Sequence, residues 1–217
     1  LRTWILLVLT LVAPTAAAAV MTDVPESPDA ARVHLIYLHG RIIENAGPTP
    51  TDSRFGRYDY PAVLEALSGR GAVVISAQRP PGTEMSRYAG VVVSQVEALI
   101  ARGVPATRIV VVGFSKGGGI ATRVSSFLRR PGVRFVLLAA CPMGDVPAHL
   151  QFTGRVLSIF EESDELAGSC QPIAEQSREL ASFEEIGIAT GKRHGAFYTP
   201  MPAWVDPVLD WVHADAD

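Results

Sequence analysis

The stretch Arg108–Val124, RIVVVGFSKGGGIATRV, decides how the rest of the chain is to be understood. Ile109 to Val112 is apolar and β-branched without a break, the pattern of a strand buried on both faces. Beyond the glycines, Ile120, Ala121, Val124 and Phe127 or Leu128 recur at helical spacing. Ser115 therefore falls on a sharp turn between strand and helix, flanked by Gly113 and Gly117 in the pattern G-F-S-K-G. Small residues on either side let strand and helix close up around a strained turn that presents the hydroxyl. A tight βα turn that merely happens to carry a serine has the same pattern. Partners elsewhere in the chain must supply the chemistry.

Outward from this stretch, apolar runs alternate with amphipathic segments. VHLIYLHG, AVVISAQRP, RIVVVGFS, RFVLLAAC, RVLSIFEE and a weaker FEEIGIAT read as strands. Between and after them, Tyr60–Leu67, Ala89–Ala101, Gly118–Leu128, Gln171–Ala181 and Pro202–Val212 read as helices. Strands and helices alternating at this pitch predict a single-domain α/β fold, a mostly parallel sheet with helices on both faces. Ligands in such sheets bind beyond the carboxyl ends of the strands. The polar, glycine- and proline-containing stretch RIIENAGPTPTDSRFGRY after the first strand is expected to be a loop over the site.

At 217 residues, with 48% hydrophobic and 19% charged residues, the chain suits one globular domain with a full core. A formal net charge of −3 and the lack of a basic stripe give no reason to expect a nucleic-acid partner. No repeat, heptad run or Cys/His metal spacing is present, and no cofactor is implied. LRTWILLVLTLVAPTAAAAV has the basic, apolar, small-residue order of an export signal, with cleavage expected after Ala17, Ala18 or Ala19. Its apolar core is shorter than the roughly 20 residues of a membrane span, so no stable anchor is expected after cleavage. The organisation read from the sequence is a signal peptide at 1–19, a linker at 20–31 containing TDVPESPD, and a domain at 32–217. Export, to the periplasm or beyond the cell, would place Cys141 and Cys170 where they could pair. Cys141 follows the fourth strand and Cys170 the fifth. If those strands are neighbours their ends come within bridging reach; two free buried cysteines is the alternative.

A serine hydroxyl is a weak nucleophile. It needs a histidine to take its proton, and the histidine needs an acid to orient it. SIFEESDELAG places Asp164 just past the fifth strand, and TGKRHGAFYTP places His194 just past the sixth. Asp145 in CPMGD, Glu161 and Glu162 compete for the acid's role. Among the other histidines, His39 at the first strand's end is expected to pack and hydrogen-bond, and His34, His149 and His213 lack the right setting. Lys116 is not part of a phosphate loop, since the order G-x-x-x-x-G-K-[ST] is absent. Its side chain is expected to reach solvent or help hold an anion.

On LHG, GFSKGG, SDELAG and HGAF, from about Arg32 to His213, the chain resembles the α/β-hydrolase superfamily. The resemblance is to the compact kind without a cap domain, similar in outline to the dienelactone hydrolase group. Dienelactone hydrolases proper carry cysteine where this chain has Ser115. The resemblance implies a serine hydrolase cutting a small carboxylic ester or thioester through an acyl-enzyme. Ser115 would be the nucleophile, Asp164 the acid and His194 the base. Backbone N–H groups of Lys116 and of Arg41 or Gly40 would form the oxyanion hole. A non-catalytic binding protein on the same fold is the rival. Basic residues at strand ends, Arg41 and Arg79 foremost, with Lys116, Lys192 and Arg193, raise the idea of contacts to a substrate anion. Pairing of these cations with loop acids such as Glu44 and Asp52 is the plainer alternative.

Overall fold

The computed structural model describes residues 19–144 and 146–214. In chain order the elements are β1 (Ala19–Met21), β2 (His34–Leu38), α1 (Arg41–Ala46), β3 (Thr51–Asp52), β4 (Gly56–Arg57), α2 (Tyr60–Leu67), β5 (Val73–Ile75), α3 (Met85–Ala101), β6 (Ile109–Phe114) and α4 (Lys116–Leu128). They continue with β7 (Arg134–Leu138), β8 (Thr153–Glu161), α5 (Gln171–Gln176), β9 (Glu179–Ile188) and α6 (Pro202–His213). A seven-stranded sheet runs β1-β5-β2-β6-β7-β8-β9, and each neighbouring pair in it is parallel. The six strands expected from the sequence form all of this sheet except β1.

The inner strands β5, β2, β6, β7 and β8 are buried on both faces, which is why they read as apolar runs. Side chains alternate along each strand. Leu35 and Tyr37 of β2, with Val110 and Val112 of β6, pack against α2 and α6 on one face. Ile36 and Leu38, with Val111 of β6 and Phe135 of β7, pack against α3, α4 and α5 on the other. The helices start where side chains satisfy their first amides. Asp59 accepts from the Ala62 N–H ahead of Pro61, and Glu84 accepts from Ser86 and Arg87.

The structure departs from the sequence expectations in three places. The stretch after β2 is not a plain loop: it contains helix α1 and the β3–β4 hairpin. So short a helix has little stability of its own and is held by burial of Ile43 and Glu44. The helix expected over Gln171–Ala181 stops at Gln176, and the last strand begins at Glu179. Residues Glu179–Ser182 fit a helical period, but ladder pairing with Thr153–Arg155 of β8 overrides it. Within the stretch expected to be a linker, Val20 and Met21 belong to edge strand β1, paired with β5. The rest of the expected signal peptide lies outside the described residues.

The chain passes from β2 through α2 to β5 on one side, then crosses by α3 to β6 on the other side of β2. The loops leaving β2 and β6 therefore diverge to opposite faces of the sheet. Their carboxyl ends form the crevice where sheets of this kind hold ligands.

Candidate active site

Ser115 caps α4 at the end of the central strand β6 with φ 53° and ψ −118°. No β-carbon fits beside it at either flanking glycine. One at Gly113 would lie 2.3 Å from the Gly117 carbonyl oxygen, and one at Gly117 would lie 1.9 Å from that of Leu38. The first turn of α4 is thus pressed against the ends of β2 and β6, and only glycine permits it.

Asp164 follows β8, and His194 lies in the 3-10 turn Arg193–Phe197 after β9. The structure brings them together with Ser115. His194 Nδ1 is 2.6 Å from Asp164 Oδ2, and His194 Nε2 is 2.8 Å from Ser115 Oγ. With Nδ1 donating to Asp164, Nε2 is left to accept the serine proton. The second Asp164 oxygen accepts from the Leu166 N–H at 2.8 Å, so both carboxyl oxygens are engaged. His194 and Asp164 are buried, and the rings of Phe114 and Phe55 lie 4.9 and 5.6 Å from the imidazole. Asp145, the competing acid, lies outside the described residues. Glu161 is buried and accepts from Ser163, Thr190 and Gly191, and Glu162 is exposed beside Gly187 of β9.

His39 stays out of this relay. Its Nε2 accepts the Arg79 N–H at 2.9 Å, which obliges Nδ1 to carry the proton and donate to the Gly40 carbonyl at 2.9 Å. Burial and the neighbouring Arg79 charge push its pKa down to about 4. The Gly40 oxygen is also reached by the Ile43 N–H at 3.3 Å. In a planar trans peptide the Arg41 N–H then points the opposite way from that carbonyl.

The cations divide. Arg79 is fully buried, with Nε 2.9 Å from Glu44 Oε1 and Nη2 on the His39 carbonyl, so it is withdrawn from any substrate. Lys116 neither reaches freely into solvent nor awaits an anion: its Nζ is 2.6 Å from Glu44 Oε2. A charge buried at this depth must be paired, and Glu44 pairs two. Arg41 remains exposed at the rim of a cavity that includes Ser115 and His194. Arg193 and Arg54 both pair with Glu165. The plainer alternative, pairing with loop acids, therefore accounts for Arg79, Lys116 and Arg193.

Cys141 and Cys170 form a disulfide with Cα atoms 5.2 Å apart, possible because β7 and β8 are neighbours. Two features of the site had no signal in the sequence: Phe55 against His194, and the Glu161 and Glu165 ties of the site loops. Glu44, offered by the sequence as one possible partner of the strand-end cations, sits in α1 and meets Arg79 and Lys116.

No family model matches this chain, and no curated protein matches its sequence. Solved structures do. It is similar to the RedJ thioesterase from the prodiginine biosynthetic pathway of Streptomyces coelicolor, at 14% identity and a TM-score of 0.54, covering 87% of this chain and 89% of that one. It is also similar to SOBER1 of Arabidopsis thaliana, at 11% identity and a TM-score of 0.56, covering 84% of this chain and 98% of that one. A parallel sheet in this order, a serine on the turn after its central strand, and such neighbours along nearly the whole chain lead to one conclusion: the protein has the α/β-hydrolase fold.

Proposed function

We propose that this protein is a serine hydrolase that cleaves a carboxylic ester or thioester through an acyl-enzyme. The observation that carries the reading is the continuous hydrogen-bonded relay from Ser115 through His194 to Asp164 at the strand ends. Ser115 Oγ attacks the carbonyl carbon while His194 Nε2 takes its proton. The C–O or C–S bond to the leaving group then breaks, and His194 returns the proton to the departing alcohol or thiol. Water, deprotonated by the same nitrogen, attacks the acyl carbon, the bond to Ser115 Oγ breaks to free the acid, and His194 returns the proton to Oγ. Asp164 holds the imidazole in the productive tautomer.

The oxyanion donors are the backbone N–H groups of Lys116 and of Arg41, with Gly40 the alternative to Arg41. The inward turn of the Gly40 carbonyl favours Arg41. Donors so placed stabilise the developing charge by about 3–4 kcal/mol each. That one structural neighbour is a thioesterase agrees with acyl transfer. The disulfide suits an oxidising compartment, in keeping with removal of an N-terminal leader on export and with a domain that includes edge strand β1.

Ser115→Ala should lower ester hydrolysis by at least about a thousandfold while leaving thermal unfolding nearly unchanged. A fluorophosphonate should label the wild-type protein at Ser115 and not the variant. A folded wild-type protein that resists labelling and hydrolyses no ester would be a binding module on a hydrolase fold.

A further inference from the structure

We infer that the substrate is an ester or thioester of a short- to medium-chain apolar acid, with its acyl chain in the cavity between α4 and the disulfide-bridged segments. This rests on the hydrolase reading and names which side of Ser115 holds which half of the substrate. Two cavities meet at Ser115 and His194. One, of about 380 Å³, is walled by Ala139, Ala140, Pro142, Pro147, Leu150 and Ile173. The other, of about 300 Å³, carries Arg41, Asn45, Asp52 and Arg54 beside Phe55 and Tyr198. Leu166, half exposed, borders both and divides them.

The chemistry of two successive attacks at one carbonyl assigns the halves. After acylation the leaving group must depart and water must take its place beside His194 Nε2, while the acyl group stays bound to Ser115. The half that empties and fills with water is better served by a polar lining. The half that stays occupied gains most from being apolar. Charge does not contradict this. Of the cations lining the apolar cavity, Lys116 is paired with Glu44, and Arg123 donates to the Gly119 carbonyl within its own helix. The cavity also ends. Its inner wall includes Ile173, buried in α5, and Cys141, whose disulfide to Cys170 ties the two segments that enclose the cavity. The pocket is open to solvent on one side, and toward Ile173 and Cys141 it rewards each added methylene until the chain meets that wall.

The test is a series of 4-nitrophenyl esters from acetyl to dodecanoyl on the wild-type protein, with fluorophosphonate labelling in parallel. Each methylene seated before the wall should raise kcat/KM by up to about fourfold, followed by a fall for longer chains. Two variants move the limit in opposite directions. Gly119→Leu adds bulk at a position where a β-carbon meets the flexible Met85 side chain, and it should abolish most of the gain from acetyl to the wild-type optimum. Ile173→Ala should shift the optimum to longer chains. Labelling and hydrolysis with a chain-length profile that is flat, or that neither variant moves, would overturn this inference and leave the hydrolase reading standing. Absence of both labelling and hydrolysis would overturn the two together.

Discussion

Three non-glycine residues at the site have positive φ: Ser115, Ala139 and Arg193. Ser115 occupies the left-handed side of backbone space, where a non-glycine residue costs about 1–3 kcal/mol. Its N–H donates to the Leu138 carbonyl and its carbonyl accepts from the Gly119 N–H, both at 2.9 Å, so β7 and α4 hold it from either side. Glu44 acts at the same scale. Its carboxylate joins Lys116, the first residue of α4, to α1, whose first residue is Arg41, and so links the two sources of the proposed oxyanion donors. Lys116→Met cuts that link and leaves the Glu44–Arg79 pair intact. It should lower kcat about tenfold, equivalent to about 1.4 kcal/mol of transition-state stabilisation, with KM changed by less than about twofold. Steady-state kinetics on one ester, with Lys116→Arg restoring most of the loss, would check it. A variant that raised only KM would place Lys116 in substrate binding.

At the scale of elements, the site depends on two loops staying in register. The loop after β8 carries Asp164 and the turn after β9 carries His194. Glu161 binds both: its carboxylate accepts from Ser163 on one side and from the Thr190 hydroxyl and the Thr190 and Gly191 N–H groups on the other. Burial pushes the Glu161 pKa up, but these donors outweigh it and the net shift is downward. Glu165 repeats the tie nearer the surface, its hydrogen bonds from Arg193 first and Arg54 after holding its pKa at about 2. The disulfide, with the Gly168 N–H on the Cys141 carbonyl, anchors the far end of the acid's loop to β7. It closes a sequence separation of 29, for which loop entropy gives about 3–4 kcal/mol. Replacing both cysteines by alanine should lower unfolding stability by about 2–4 kcal/mol in urea titrations. Amide exchange should rise first across residues 162–170. Unchanged stability and exchange would mean that Glu161 and Glu165 suffice to hold the loop.

At the scale of the whole molecule, folding stability is coupled to pH through buried imidazole. The folded protein holds His39 neutral down to about pH 4, whereas the unfolded chain protonates it near 6.5. Above 6.5 neither state binds the proton and the stability is fully present. Between 6.5 and 4 the unfolded state binds more protons, so stability falls as pH falls; below 4 the loss levels off. The shift corresponds to about 3 kcal/mol, and His34 and His213, also pushed down by burial, add to it in the same direction. Urea unfolding should therefore show a stability about 2–3 kcal/mol lower at pH 4.5 than at pH 7. The His39 proton resonance should titrate near 4 in the folded protein. A His39 midpoint near 6.5 without a stability slope would show that Arg79 and the Gly40 carbonyl do not hold the ring as the structure has it.

The sequence by itself determined the parallel α/β sheet, because strands buried on both faces must be apolar throughout and the helices between them must be amphipathic. It also singled out Ser115, Asp164 and His194, since each stands immediately past a recognisable strand and a turn there leaves few positions for a side chain that must reach the crevice. Tertiary structure alone decided what surrounds them. Helix α1 and the first residues of β9 owe their conformation to burial and ladder pairing with distant segments, which local periodicity does not report. The choice of Glu44 as partner for Arg79 and Lys116, and of Glu161 as the tie between two loops, depends on side chains far apart in sequence meeting where water is excluded. Pairing of Cys141 with Cys170 was legible only on the condition that β7 and β8 are neighbours, and strand order is a property of the assembled sheet. The apolar cavity is of the same kind: its walls come from α4, the segment after β7 and α5, and no one of these stretches contains it.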